Sequence, residues 1–450
     1  MLLLAASLAS CKKALDVEPA QTIDASTALE NDQDVNSLIV GGYSVMAGGN
    51  LFGTNLLMVP DLLGSETVLT WRGTFISPRD ITSKAMDRNN SDANFIWTSA
   101  YNVINIANTA IEALGVVNSA DLKKQLEGEA LFMRGVMHFE LVKLYALPWG
   151  ATADNAHLGV PIKLISTKNE ADAFSKTARS SVKLVYDQVI ADLSKAVTLL
   201  PEENNKRVTK FAAIAYLSRV YLMQGDYAKA RDAANEVIES GLYALNASVL
   251  AVFRNKDTKE SIWEIQQNEQ NNAGTSNNGM ATFYASLPGI GRADVRVVPS
   301  FVSGKYPAGD LRQTEWYYIG TGQRPGNTYS AKWVSFSQNL PVIRLAEMYL
   351  TRAEANAVLG TAVGSTPAAD LARVRNSLRT NSVSPAVPTV TDIRNERFIE
   401  LAFEGHRIHD LKRLRLPTGN FAWNSDKLVF PIPQREIDAS QGVLIQNPGY

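Results

Sequence analysis

The stretch that most constrains this chain is Ile393–Leu416, IRNERFIELAFEGHRIHDLKRLRL. Its apolar residues Ile393, Phe398, Leu401, Ile408 and Leu411 recur at helical intervals. Its charged residues Arg394, Arg397, Glu400, Glu404, Arg407 and Asp410 fall three or four apart and form a second stripe. Taken as one helix, the stripe gives the pairs Arg397–Glu400, Glu404–Arg407 and Arg407–Asp410 at i,i+3. Gly405 interrupts the helix, which predicts close approach of another backbone. Two uses of the stripe compete. One is a structural ion-pair network that pins this helix into a helical bundle. The other is a catalytic carboxylate pair, Glu400 and Glu404, as in a glycosidase. An acid catalyst needs a raised pKa and arginine neighbours depress it, so the network is favoured.

Such a helix needs partners, and the chain supplies them. Asp34–Met46 predicts a first helix. Ala93–Leu114 carries Ile96, Trp97, Tyr101 and Ile104 at helical spacing, which assigns both aromatics to core. Lys123–Leu147 is strongly amphipathic and is stopped by Pro148 and Gly150. Ser180–Leu200 with Val208–Met223, and Val342–Leu359 with Ala369–Thr380, predict further hairpins. After Met223 comes Gly225-Asp226-Tyr227 and a helix through Glu239. Leu217, Tyr221, Gly225, Asp226, Tyr227 and Ala230 resemble a tetratricopeptide repeat, with Ser218 and Val237 departing from it. Each hairpin leaves one apolar face open, and stacking covers it.

Two stretches lack a period. Leu51–Asn90 is broken by Gly53, Pro60, Gly64, Gly73 and Pro78, and predicts long irregular structure. Leu242–Leu340 is the second. Within it Glu260–Ile265 predicts a strand and Gln267–Gly279, rich in Asn and Gln, a solvated loop. Trp316-Tyr317-Tyr318 predicts a strand with Trp316 and Tyr318 on one face and Tyr317 on the other. The alternative for these rings, and for Trp71, is a role inside the core.

The bulk numbers exclude several classes. The net charge is −1, so no basic field draws nucleic acid. No apolar run of spanning length follows the N-terminus. The sole cysteine is Cys11, so no internal disulfide forms. His406 and His409 sit i,i+3, but a third ligand would have to be Glu404 or Asp410, already committed to arginines, so no metal is expected. No H-E-x-x-H, Walker, G-x-S-x-G or dinucleotide fingerprint occurs, and no cofactor is expected.

As a whole string, Ile393–Arg413 resembles the C-terminal signature of the SusD/RagB family of outer-membrane nutrient-binding lipoproteins, I-R-x-E-R-x-x-E-L-x-F-E-G-x-R-x-x-D-L-x-R. Ile393, Arg394, Glu396, Arg397, Glu400, Leu401, Phe403, Glu404, Gly405, Arg407, Asp410, Leu411 and Arg413 match it. Leu414-Arg415 replaces the family's usual Trp-Gly. Leu15–Pro19, Phe430–Ile437 and Gln446–Tyr450 are similar to other family strings. Leu8-Ala9-Ser10-Cys11 fits a lipobox behind the short apolar run Leu2–Ser10. No basic residue precedes that run. A start codon upstream of Met1 reconciles this; a chance cysteine is the alternative.

The resemblance implies a mainly α fold of four tetratricopeptide-like helical hairpins, with irregular loops and short strands carrying the ligand surface. The expected organisation is a signal segment at 1–10, a tether at 11–25 and one domain over 26–450, with insertions at about 51–92 and 242–340. The implied function is non-catalytic capture of oligosaccharides, or less often peptides, at the outer membrane of a Gram-negative cell. The implied partner is a SusC-like TonB-dependent transporter. An all-helical glycoside hydrolase and a tetratricopeptide adaptor remain as other classes. The family carries no fixed ligand motif, so site candidates rest on residue type and irregular context. They are Trp71, Arg72, Trp316, Tyr317 and Tyr318, with Asp61 as a hydrogen-bonding partner and Cys11 as lipid anchor.

Overall fold

The computed structural model describes residues 29–65, 67–168, 172, 176–375 and 377–450. Cys11 and the segment 11–25 lie outside the described residues. Helices Asp32–Ala47, Ser91–Glu112, Ala120–Tyr145, Val182–Leu199, Lys210–Gln224, Tyr227–Glu239, Leu345–Leu359 and Pro367–Val374 stack in chain order, each on its predecessor. Two by two they make four helical hairpins. Local chemistry sets their ends. The side chains of Ser119, Ser181, Thr209 and Thr366 each accept a first-turn N–H. Gly225 closes one helix in the left-handed conformation, and Asp226 caps the next through Lys229 N. That two-residue junction is the tetratricopeptide turn read from the sequence.

The long second excursion returns to the array rather than leaving it. Strand Ser261–Ile265 pairs antiparallel with Leu340–Arg344. Between them they bring Trp263 against Phe132, Tyr216 and Phe52, with ring centroids 5.3, 6.0 and 5.4 Å apart. Such edge-on aromatic contacts add to the area they bury. This packing explains why Ala120–Tyr145 is buried almost all round from Gly128 onward. A tetratricopeptide adaptor would keep this face free for a peptide; here the strand pair fills it.

Three sequence expectations need correction. First, Leu51–Asn90 is not irregular throughout: Asn55–Leu63 and Ile76–Ser83 are helices. Every residue of Asn55–Leu63 is buried, so its sequence lacks the polar face that marks a helix. Second, Val342 opens no helix; Leu340–Arg344 is a fully buried strand and the helix starts at Leu345. Third, Ile393–Leu416 is two helices, Val390–Glu400 and Arg407–Arg413, with a turn between them.

The turn forms where another backbone intrudes. Gly405 has φ +81°, and a Cβ there would lie 2.6 Å from Leu56 O. Leu56 O is the carbonyl that Pro60, lacking an N–H, cannot engage within its helix. The close approach expected at Gly405 is therefore present.

His138 ties the Ala120–Tyr145 helix to the following loop. Its Nδ1 lies 2.9 Å from Arg134 O, and Nε2 accepts from Lys163 N at 3.3 Å. A carbonyl only accepts, so the proton sits on Nδ1 and the ring is neutral. Burial pushes its pKa down from 6.5 to about 4. Between those values the unfolded chain binds the extra proton and the folded one does not. Stability is thus complete above pH 6.5 and declines as pH falls toward 4, by about 3 kcal/mol from this group. Urea midpoints measured from pH 7 to 4 should fall accordingly, and His138→Gln should flatten that slope.

Candidate functional site

The charge stripe resolves into a buried network, but not with the i,i+3 partners expected. Because the helix stops at Glu400, Glu404 and Arg407 leave its face. Arg344 occupies the centre. Its Nε donates to Glu404, Nη1 to Glu260 and Glu400, and Nη2 to Glu404 and the Glu400 carbonyl, all at 2.7–2.9 Å. All five guanidinium N–H groups are thereby used. Arg312 joins Asp310, Glu396 and Glu400, and Arg379 joins Glu260 and Glu400. Lys332 Nζ donates to Glu404 and to the carbonyls of Glu400 and Ala402. Burial alone would raise the Glu400 carboxyl; Arg379, Arg344 and Arg312 outweigh it and hold the pKa well below the ordinary range. Arg344 and Lys332 likewise outweigh burial at Glu404 and lower its pKa. Both carboxylates are buried, ionised and surrounded by cations, so neither is placed as an acid catalyst.

Arg407 stands outside this network. Its guanidinium stacks 3.9 Å from the Phe398 ring centroid, and Asp410 pairs instead with Arg397 and Arg413. The expectation that Arg407 separates Glu404 from Asp410 is corrected: the turn points them to different partners.

Of the six proposed ligand residues, four face inward: Asp61, Trp316, Tyr317 and Trp71. Asp61 is buried, and its oxygens accept from Gly405 N at 2.9 Å and Arg407 N at 3.0 Å. Burial raises its pKa to about 7 against those two bonds. It staples the turn, so it is not free to meet a ligand. Trp316 is fully buried, donates from Nε1 to Val249 O, and lies under Lys332 Nζ at 3.9 Å. Tyr317 is buried with its hydroxyl on that of Tyr306 at 2.6 Å. The alternation failed here because the strand begins at Tyr317; Trp316 ends the short helix Leu311–Glu315 and obeys no strand period.

The other two, Arg72 and Tyr318, lie nearer the surface, one on each excursion. Strand Leu69–Trp71 pairs antiparallel with Val295–Val297. The Trp71 indole is buried in the core, with Nε1 donating to Phe75 O and the ring 5.8 Å from that of Phe283, so it anchors the loop instead of facing a ligand. Arg72 is exposed; its N donates to Asp294 O, and its carbonyl accepts from Arg324. Tyr318 is half-buried, its hydroxyl accepting from Ser286 N at 2.7 Å.

Four residues that the sequence did not single out complete this face. Arg292 pairs with Asp294 at 2.9 Å and lies 4.2 Å over the exposed Phe75 ring; Arg324 approaches Asp294 at 3.5 Å. Burial raises the Asp294 pKa, and the two arginines counter it. The only signal was the glycine-flanked turn Gly289-Ile290-Gly291 before Arg292, which marks a shaped loop but names no partner. The face therefore offers an aromatic edge and three guanidinium groups, two of them anchored on the buried Asp294 carboxylate. That set suits a polyhydroxylated ligand, whose hydroxyls both donate and accept.

Elsewhere, a cavity of about 340 Å³ lies between the Ser91–Glu112 helix, residues 161–167 with Asp172, Lys176 and Thr177, and the helix Gln434–Ser440. Trp97 and Tyr101 form part of its wall, held at 4.9 Å from each other, with the Tyr101 hydroxyl donating to Pro161 O. Among the described residues no group of His, Cys, Asp and Glu could hold a metal ion. Burial lowers the His406 pKa to about 3. No described helix is long and apolar enough to cross a membrane.

The chain is thus a helical-repeat scaffold with an arginine-rich face built by its two excursions. Comparison with known proteins specifies the class. Residues 14–222 match the family model described as starch-binding associating with outer membrane, and residues 300–429 that of the SusD family. SusD-like protein P2 of Formosa agariphila is 27% identical, covering 97% of this chain and 96% of that one. The crystal structure of a SusD superfamily protein from Bacteroides vulgatus is 26% identical with TM-score 0.81, covering 94% of this chain and 99% of the other. A laminarin-binding SusD-like protein shares the fold at 21% identity and TM-score 0.76, covering 94% and 100%. The chain belongs to the SusD family. Its family is one of outer-membrane-associated binding proteins.

The network's logic separates two variants. Arg344→Met strips counter-charges from three buried carboxylates and should cost roughly 3–5 kcal/mol. Arg407→Ala loses one cation–π contact and should cost about 1 kcal/mol. Thermal melts of the two proteins check the contrast.

Proposed function

We propose that this protein captures oligosaccharides at the cell surface without chemistry and delivers them to a partner SusC-like TonB-dependent outer-membrane transporter. The observation that carries this is the convergence of the two excursions. Arg72 and Phe75 from one meet Arg292, Asp294 and Arg324 from the other, on a face fixed by strand pairing. The family match and the laminarin-binding protein of the same fold support a glycan as the ligand. The buried, fully ionised Glu400 and Glu404 support capture rather than hydrolysis.

In this reading residues 1–10 are removed and the Cys11 thiol is acylated. Residues 11–25 tether one ligand-binding unit over 26–450. Two or more acyl chains give stable attachment, since each buried CH₂ contributes roughly 0.8 kcal/mol. Cys11→Ala should move the protein from the membrane to the soluble fraction, read by fractionation and blotting; retention of the variant in membranes would count against the anchor.

The ligand claim is tested by affinity electrophoresis through gels cast with laminarin, starch, xylan or alginate. Retardation by at least one is expected. Arg72→Ala and Arg292→Ala should weaken it on the order of ten-fold, or about 1.4 kcal/mol, with the helical circular dichroism unchanged. Binding of a peptide library with no retardation by any polysaccharide would replace the glycan with a peptide. Co-purification of a large outer-membrane barrel with the tagged lipoprotein tests the transporter.

A further inference from the structure

The Asn/Gln-rich loop remains without a role in the face just described. It does not simply hang in solvent. It encloses a cleft of about 280 Å³ against the turn that follows the Asp32–Ala47 helix. We infer that this cleft is a second binding site, for an uncharged sugar segment of a glycan chain; the inference rests on the glycan reading above.

The chemistry of the walls carries the argument. Asn50, Gln266, Asn271, Asn272 and Asn278 supply amides, Ser44 and Ser276 hydroxyls, and Gly48 and Gly49 bare backbone. Among the described residues no ionisable side chain lines the cleft. Each carboxamide presents a donor pair and an acceptor side by side, which matches neighbouring sugar hydroxyls. A carboxylate or sulfate would lose its hydration there without gaining a counter-charge. The volume lies near the lower bound for small-molecule sites, roughly 300 Å³, and has room for one or two sugar rings.

The loop is also built to hold its shape. Asn268 Oδ1 accepts from the N–H groups of Gln270 and Asn271. Asn272 donates to Asn268 O at 2.8 Å and accepts from Thr275 N at 3.1 Å. At its base Gln267 N donates to Asn339 Oδ1. These bonds spend some amides on the frame. The Asn271 carboxamide, the Asn278 Nδ2 and the Ser276 hydroxyl have no hydrogen-bond partner among the described residues, so they are available to a ligand. The two walls meet at Gly49, where a Cβ would lie 2.4 Å from Asn278 Nδ2. A side chain there would displace Asn278 from the wall.

Position makes the cleft part of one track. Two residues beyond Asn278 begins the helix Met280–Tyr284, whose Phe283 packs on Trp71. Five helical residues span about 7.5 Å. The cleft and the arginine face thus flank one short helix, and a polymeric chain can engage both while a monosaccharide cannot.

The test uses the full chain from Cys11, with serine replacing that cysteine, in the same gels. Asn271→Ala/Ser276→Ala alters one wall on an exposed loop, and Ser44→Trp blocks the other from an exposed helix position. Each should weaken retardation by the neutral polysaccharide that the wild type binds by at least five-fold, and should affect a long oligosaccharide of that polymer more than its disaccharide. Unchanged melting curves confirm that both variants are folded. If the wild type is retarded and neither variant differs from it, the cleft is overturned while glycan capture stands. Retardation by alginate alone overturns the neutral specificity and hence this site. Retardation by no polysaccharide overturns both this site and the function it rests on.

Discussion

Arg344 is the point from which the structure is held. It sits at the last residue of a buried strand, and its five N–H groups reach Glu260, Glu400 and Glu404. Those acceptors come from the start of one strand, the end of one helix and the turn that follows it. Arg312, Lys332, Arg375 and Arg379 add four cations, and Asp310 and Glu396 two carboxylates. Five charges of each sign close to zero inside the protein. Taking them out of water is costly, and their attraction roughly offsets that cost only while every partner is present. Such a cluster contributes little net stability but penalises any alternative docking of the excursion. It makes the excursion's root rigid.

That rigidity decides what the loops beyond it can be. Glu260 and Arg344 border the strand pair that fills the array, while Arg312 and Lys332 bracket the segment that carries Tyr318 and Arg324. With the roots fixed, loop tips can vary in sequence without disturbing the helices. The recognition face and the amide-lined cleft both lie on such tips. The fixed charges are consumed inside, which leaves arginines, a rim aromatic and neutral amides on the outside.

How much of this was legible in the sequence depends on periodicity. The amphipathic helices showed themselves because each has one wet side; Ser180–Leu200 needed only a two-residue trim at its start. Asn55–Leu63 was missed because it has no wet side, and Pro60 argued against a helix whose buried face packs on the Gly405 turn. The Ile393–Leu416 string named the network's acids but not their bases. Arg312, Lys332, Arg344 and Arg379 lie 20 to 90 residues upstream and carry no local mark of their role. The same limit applied to the site. Trp316 and Tyr317 looked like a surface cluster because aromatic density was the only cue, yet each ring's polar atom was already spent on an internal partner. Arg292 and Arg324 were invisible until strand pairing set them on Asp294.

The residual question is why one face uses guanidinium groups and the neighbouring cleft only amides. The two chemistries reward different things. Guanidinium donors bind strongly but discriminate by charge, and three of them beside one carboxylate leave the face positive. Amides bind each hydroxyl weakly, yet they reject a charged group through desolvation and read the spacing of donor and acceptor. A glycan that must be held loosely enough to be passed on, but selected from a mixed polymer field, is served by several weak neutral contacts beside one stronger patch. Linking two weak sites through one chain raises the effective affinity for polymers over monosaccharides without any single tight contact. On the proposed function, release then requires opening only one site at a time, which suits capture followed by hand-over.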